Sequence, residues 1–167
     1  MPRSSQQREP LDLALLRVLR TRGHQPIVET AVRRFSLLGE HGILWYTVCA
    51  VGAVACPRQR RAFGRSAALV FGSFVANQAV KFAVRRPRPK VPDLPPLVHT
   101  ASNRSYPSAH ATTSAAAAVG LSEVLPPAPV YAVAAALALS RLYLGVHYPS
   151  DTLAGAALGW AVAELAP

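Results

Sequence analysis

Positive charge in this chain is packed into short stretches, with long runs between them that carry almost none, and that segregation limits the folds open to it. Of the 18 Lys and Arg residues, seven lie in Met1–Arg34, four in Arg58–Arg65 and six in Lys81–Arg104; beyond Ser105 only Arg141 remains. The runs between them give five segments that could cross a bilayer, approximately Ser36–Cys56, Ala62–Val80, Ala109–Leu125, Pro127–Leu144 and Thr152–Ala166. Each is near the lower limit of the roughly 17–25 residues that a spanning helix needs. Small residues, notably Gly155, Gly159 and Ala115–Ala118, would let such helices approach closely in lipid. A helical bundle in water is the alternative, but segments apolar on every side would leave it little polar surface. The expectation is therefore an all-α, integral-membrane bundle of about five to six helices, multi-pass in the cell membrane.

Residues 1–35 form a separate segment. Leucines at 11, 13, 15, 16 and 19 alternate with Asp12, Arg17 and Arg20, the pattern of a cationic amphipathic helix lying at a membrane surface. A second short helix, Ile27–Phe35, follows Pro26. Residues 36–167 make up the transmembrane domain. No apolar stretch followed by a small-residue cleavage site opens the chain, so no removable signal peptide is expected. Cys49 and Cys56 would sit about 10 Å apart along one helix, too far for a disulfide, and read as small core residues. A net charge of +10 raises the question of nucleic acid. The basic residues are interrupted by segments too apolar for such a surface, and no aromatic–basic interleaving is present. Anionic headgroups or a phosphorylated substrate suit the charge better, and no nucleic-acid partner is expected. The Arg58–Arg65 cluster would mark a cytoplasmic connector.

Between the second and third segments lies Arg85–Pro107, with prolines at 87, 89, 92, 95, 96 and 107. Proline this dense forbids helix and sheet, and long irregular connectors in small proteins are commonly functional. Its ends hold two of three stretches that belong together: Lys81 to Pro89, Pro107-Ser108-Ala109-His110, and Ser140-Arg141 through His147 to Asp151. Singly each is mundane: cations anchor span ends, and Ser with His at a helix start is an ordinary cap. With alternating spans, however, all three fall on one membrane face. Two histidines, three cations, a hydroxyl and a carboxylate then converge, which is what phosphoryl transfer by positioning and charge stabilisation needs.

The pattern Lys, six residues, Arg-Pro, then Pro-Ser-Ala-His, then Ser-Arg, five residues, His, three residues, Asp resembles that of the type 2 phosphatidic acid phosphatase superfamily. The family usually has glycine where this chain has Ala109. The resemblance implies a metal-independent phosphatase that needs no cofactor. His147 would be the nucleophile and Asp151 its orienting carboxylate. His110 would protonate the leaving oxygen and then activate water. Lys81, Arg88, Ser108, Arg141 and the Ala109 amide would hold the phosphate. Alanine at 109 keeps that amide and is tolerated if its φ is negative. The loop just before the last helix would carry His147, with Ser150 as that helix's N-cap. His24 and His99 read as solvated side chains, and Glu40 with His41 as polar groups near a span end that can reach water.

Within the family the chain is similar to actinobacterial members, implying a membrane-lipid substrate, decaprenylphosphoryl-5-phosphoribose. Undecaprenyl diphosphate, phosphatidate and phosphatidylglycerol phosphate are the alternatives. A vanadium haloperoxidase, which shares this constellation, and a non-enzymatic binding protein are the competing classes.

Overall fold

The computed structural model describes residues 11–91 and 93–166, so the first ten residues of the N-terminal segment lie outside the described residues. It is all-helical. In chain order come α1 (Leu11–Thr21), α2 (Pro26–Leu37), α3 (Ile43–Ala55), α4 (Arg60–Val84), α5 (Ala109–Leu121), α6 (Pro127–Tyr143) and α7 (Pro149–Leu165), with short 3-10 turns at Glu40–Gly42 and Pro57–Gln59.

The first hydropathic segment is not one helix. α2 starts with Pro26 at its first position, where a missing N–H costs nothing, and it continues to Leu37. Ser36, assigned to a span by composition, thus belongs to the last turn of α2. The chain then turns through His41 and Gly42, both left-handed with φ of 51° and 76°. α2 and the following Glu40–Ala55 piece are bent by 48°. Composition carries no trace of this break, because it comes from backbone dihedrals at two adjacent residues.

Among the described residues, one helix, Pro57–Val84 counted with its leading turn, is long and apolar enough to cross a membrane alone, and the bent α2–α3 pair passes only as a unit. α5 has 13 residues and α6 and α7 have 17 each. At 1.5 Å per residue they reach only about 20–26 Å.

α5 is the central helix, packed against α7 on one side and α4 on the other. Two glycines permit the α5–α7 approach: a Cβ at Gly155 would fall 2.5 Å from the Ser108 carbonyl oxygen, and one at Gly159 would fall 2.0 Å from that of Thr112. Helix backbones here touch directly, as the small residues lead one to expect. The core gathers Trp45, Phe63, Val70, Leu121 and Leu137, and the Trp45 indole donates to Ser114 Oγ at 3.0 Å.

The outside is as informative. On α1, Leu11, Leu15, Val18 and Leu19 are exposed, while Leu16 and Arg20 are buried. The apolar stripe of this amphipathic helix thus faces away from the protein. Val51, Val54, Phe71, Val75, Leu139, Leu153 and Trp160 are exposed on the other helices. An apolar exterior of this extent is the surface of a protein in contact with lipid or a partner.

Two smaller expectations change. Cys49 is buried but Cys56 is exposed, since it ends α3 instead of packing within it; both are free thiols. His24 is not solvated: it stacks on Tyr143 with ring centroids 4.0 Å apart and lies 3.3 Å from Glu29. His99 is exposed.

Candidate active site

The three motif stretches meet at one end of the bundle. α4 ends just past Lys81, where Arg85 adopts a left-handed cap conformation with φ 55°. Among the described residues, the proline-rich segment that follows contains no helix and a single β-bridge, Pro87 with Arg104. Lys81 Nζ, almost fully buried, holds the segment's far end through the carbonyls of Arg104 (3.3 Å) and Ser105 (3.4 Å). Buried Asn77 holds the next residues, donating to the Pro107 carbonyl at 3.2 Å and Thr112 Oγ1 at 2.9 Å. α5 then begins with Ser108 as N-cap.

The loop between α6 and α7 carries His147, as the proline at 149 suggests. The cap of α7 differs from expectation. It is Tyr148, with Pro149 at the first helical position and Asp151 reaching back to the Tyr148 amide at 2.9 Å. Ser150 therefore sits inside the first turn. Pro149, with its fixed φ, suits the first helical position so well that the helix starts two residues earlier than a Ser150 cap would allow.

These local structures determine the state of His147. Its Nε2 accepts from Arg88 Nη1 at 3.2 Å, and an arginine N–H can only donate. The ring proton is accordingly on Nδ1, which faces Asp151 Oδ2 at 3.5 Å. Burial, together with Arg88, Arg141 and Lys81, pushes the imidazole down to about 3, against the opposing pull of Asp151. His147 is neutral, with an Nε2 lone pair toward a cluster of cations.

Around it Arg88 also donates to the carbonyls of Ser102 (2.7 Å) and Val146 (2.7 Å). Burial and the neighbouring Arg141 lower its guanidinium to about 10, leaving it charged at neutral pH. Arg141 Nη1 donates to Ser36 Oγ at 2.6 Å, and its buried Nε has no hydrogen-bond partner. A buried guanidinium N–H without an acceptor is costly unless an anion completes it. The nearest carboxylate to Arg141 is Glu40, at 3.9 Å. His110 Nε2 lies 3.0 Å from the Ser36 carbonyl oxygen, so that nitrogen carries a proton and Nδ1 is left for chemistry. Gly39 packs on the ring's edge; a Cβ there would meet His110 Cδ2 at 2.5 Å.

A cavity of about 200 Å³ is lined by Lys81, Arg88, Ala109, His110, Arg141 and His147. Ala109 is absent from the residues with positive φ, which meets the condition for replacing glycine. Asp151 lies behind His147. The Ser108 hydroxyl caps α5, accepting from the Ala111 amide at 3.5 Å, and Ser108 is not among the lining residues.

Three residues escaped the sequence reading. Arg86 donates to Asp151 Oδ1 at 2.9 Å, to Asp12 Oδ2 at 2.7 Å and to Ser150 Oγ at 2.7 Å, with its guanidinium over the Tyr148 ring. Burial alone would lower its pKa, but the two carboxylates raise it. Asp12, from α1, also accepts from the Ser150 amide at 3.0 Å and from the Ser150 hydroxyl. Burial works to raise Asp12, but those bonds and Arg86 hold it below the usual carboxylate range. Ser36, at the end of α2, touches both Arg141 and His110. Arg86 stands among the six residues between Lys81 and Arg88, where no spacing rule singles it out, and Asp12 lies 139 positions before Asp151.

The comparisons agree with this geometry. The PAP2 superfamily pattern matches residues 61–167. A decaprenylphosphoryl-5-phosphoribose phosphatase of Mycolicibacterium smegmatis is 43% identical over 145 residues, covering 86% of this chain and 80% of its own length. Among solved structures, Aquifex aeolicus LpxE superposes with a TM-score of 0.80 at 22% identity, covering 95% of each chain. The transmembrane PAP2-type phosphatidylglycerolphosphate phosphatase of Bacillus subtilis gives 0.76 at 24%, covering 92% of this chain and 81% of its own. On both the matched pattern and the close relative, this chain belongs to the PAP2 superfamily.

Proposed function

We propose that this protein is a multi-pass membrane phosphatase that removes a terminal phosphomonoester from a polyprenyl-linked sugar lipid, decaprenylphosphoryl-5-phosphoribose, through a phosphohistidine on His147. The observation that carries the reading is the protonation pattern of His147: Nε2 unprotonated and accepting from Arg88, Nδ1 toward Asp151, in a cavity that Lys81 and Arg141 also line. The substrate follows from the 43% identical relative, whose name specifies that lipid.

In the first step His147 Nε2 attacks phosphorus, forming an N–P bond as the ester P–O bond breaks. His110, protonated at Nδ1 once the anionic phosphate is bound among the cations, gives that proton to the departing oxygen. Asp151 stabilises the charge that develops on the His147 ring. Lys81, Arg88 and Arg141 balance the phosphoryl oxygens. Water then attacks phosphorus, His110 takes its proton, the N–P bond breaks and inorganic phosphate leaves. The amides at the start of α5 add donors beside Ala109, and Ser108 supports them as the helix cap. α1, with its outward leucine stripe, lies at the membrane interface.

Phosphate release by the detergent-purified protein, in excess chelator, tests the reading on decaprenylphosphoryl-5-phosphoribose, undecaprenyl diphosphate and phosphatidate. Chelator-resistant release abolished in His147→Ala is the expected result. No release from any of the three by folded protein would overturn it. Peroxide-driven halide oxidation that depends on added vanadate, without phosphatase turnover, would instead favour a haloperoxidase.

A further inference from the structure

The cavity is larger than a phosphate requires, and its far wall is built of different chemistry. Beyond the cations it is lined by Glu40 and His41 from the 3-10 turn and by Gln78 and Phe74 from α4. Two of these polar groups are uncommitted, and the third, Glu40, has a single long ion pair among the described residues. His41 and Gln78 make no side-chain hydrogen bond among the described residues. The ring of His41 lies 6.0 Å from that of Phe74, and the Glu40 carboxylate is 3.9 Å from Arg141 Nη1. A carboxylate repels a phosphate and gains nothing from a hydrocarbon chain, but it accepts strongly from hydroxyls. His41 moreover occupies the left-handed region at φ 51°, uncommon for a residue with a side chain and concentrated at functional sites.

The order of these groups is that of a substrate. Gln78 precedes Lys81 by one turn of α4 and Phe74 by two, about 5 and 10 Å along the helix. From the phosphate cations the wall therefore passes through polar groups to an aromatic ring. We infer that Glu40, His41 and Gln78 form a hydroxyl-binding subsite that reads the sugar next to the scissile phosphate, with the lipid chain leaving past Phe74 between α4 and the Glu40–Gly42 turn. The inference rests on the phosphatase reading and adds to it the basis of discrimination. A site with hydrogen-bonding groups aimed at hydroxyls disfavours a substrate that lacks them, because the groups are then left unpaired. The separate apolar groove between α5, α6 and α7 shares no lining residue with the cavity.

The test is competition against phosphatidate hydrolysis by ribose 5-phosphate and by inorganic phosphate, in wild type, Gln78→Leu and His41→Ala. Ribose 5-phosphate should compete about tenfold more strongly than phosphate in wild type. Each variant should erase about three- to tenfold of that advantage, the worth of a lost hydrogen bond. In parallel, kcat/KM for decaprenylphosphoryl-5-phosphoribose relative to phosphatidate should fall by a similar factor. Equal competition in wild type, or an advantage that survives both substitutions, overturns the subsite while leaving the phosphatase reading intact. Absence of hydrolysis of any lipid overturns both.

Discussion

Replacing Arg86 by alanine should lower turnover without weakening substrate binding. Arg86 does not line the cavity, yet it holds Asp151, which has no solvent exposure. Without the guanidinium, Asp151 Oδ1 loses its 2.9 Å donor, and Oδ2 keeps only the Tyr148 amide and the His147 ring. A hydrogen bond to a charged group contributes about 1.5–3 kcal/mol. If the loss is felt as His147 gains charge in the transition state, about 1.4 kcal/mol per tenfold gives a fall in kcat of roughly 10–100-fold. That is the range found for outer partners of metal-bound histidines, which orient an imidazole in the same way. KM should stay within about twofold, since ground-state contacts to phosphate are untouched. Arg86→Lys should recover part of the rate, because an ammonium can reach one carboxylate but not span both. Asp12→Asn should give a smaller loss in the same direction. The assay is steady-state phosphate release beside a thermal unfolding curve in the same detergent. A folded Arg86→Ala protein with wild-type kcat, or one altered only in KM, would refute the idea that this arginine positions the nucleophile.

Further outcomes follow from the same geometry. His147, selectively labelled and observed by NMR, should remain neutral between pH 8 and pH 5, with its proton on Nδ1 and Nε2 the bare nitrogen; titration near its ordinary value of about 6.5 would contradict the environment described. Because its folded pKa is depressed to about 3, its contribution to stability is present above about pH 6.5 and is lost as pH falls from there toward 3, which acid unfolding of His147→Gln against wild type can measure. Gly159→Val places carbon 2.0 Å from the Thr112 carbonyl oxygen, so α5 and α7 must separate, at a cost of about 1–3 kcal/mol or more, and the melting temperature should drop. Arg141→Lys should cut kcat/KM by about tenfold or more: one ammonium cannot keep the Ser36 bond and also present a planar fork of donors to the phosphate.

How much of this was legible in the chain differs by kind of information. Segments of uncharged residues located α4 to α7 to within a few residues, because helix-sized apolar runs bounded by charge and proline leave few alternatives. Motif spacing named Lys81, Arg88, His110, Arg141 and His147 as neighbours, and the structure brings all five to one cavity. Pro149 signalled that His147 precedes a helix. What spacing could not supply was anything dependent on dihedrals or on contacts between distant segments. The 48° break before α3 hinges on left-handed His41 and Gly42. The capping residue of α7 depended on whether Asp151 could reach back to Tyr148. Asp12 and Ser36 were invisible as site components because their partners, Asp151 through Arg86 and Arg141, lie more than a hundred residues away. The amino-acid order alone therefore determined which groups could do the chemistry, since their types and intervals are local properties. Tertiary structure decided how those groups are held and protonated, because hydrogen bonds and burial depend on proximity in space, which helix packing creates.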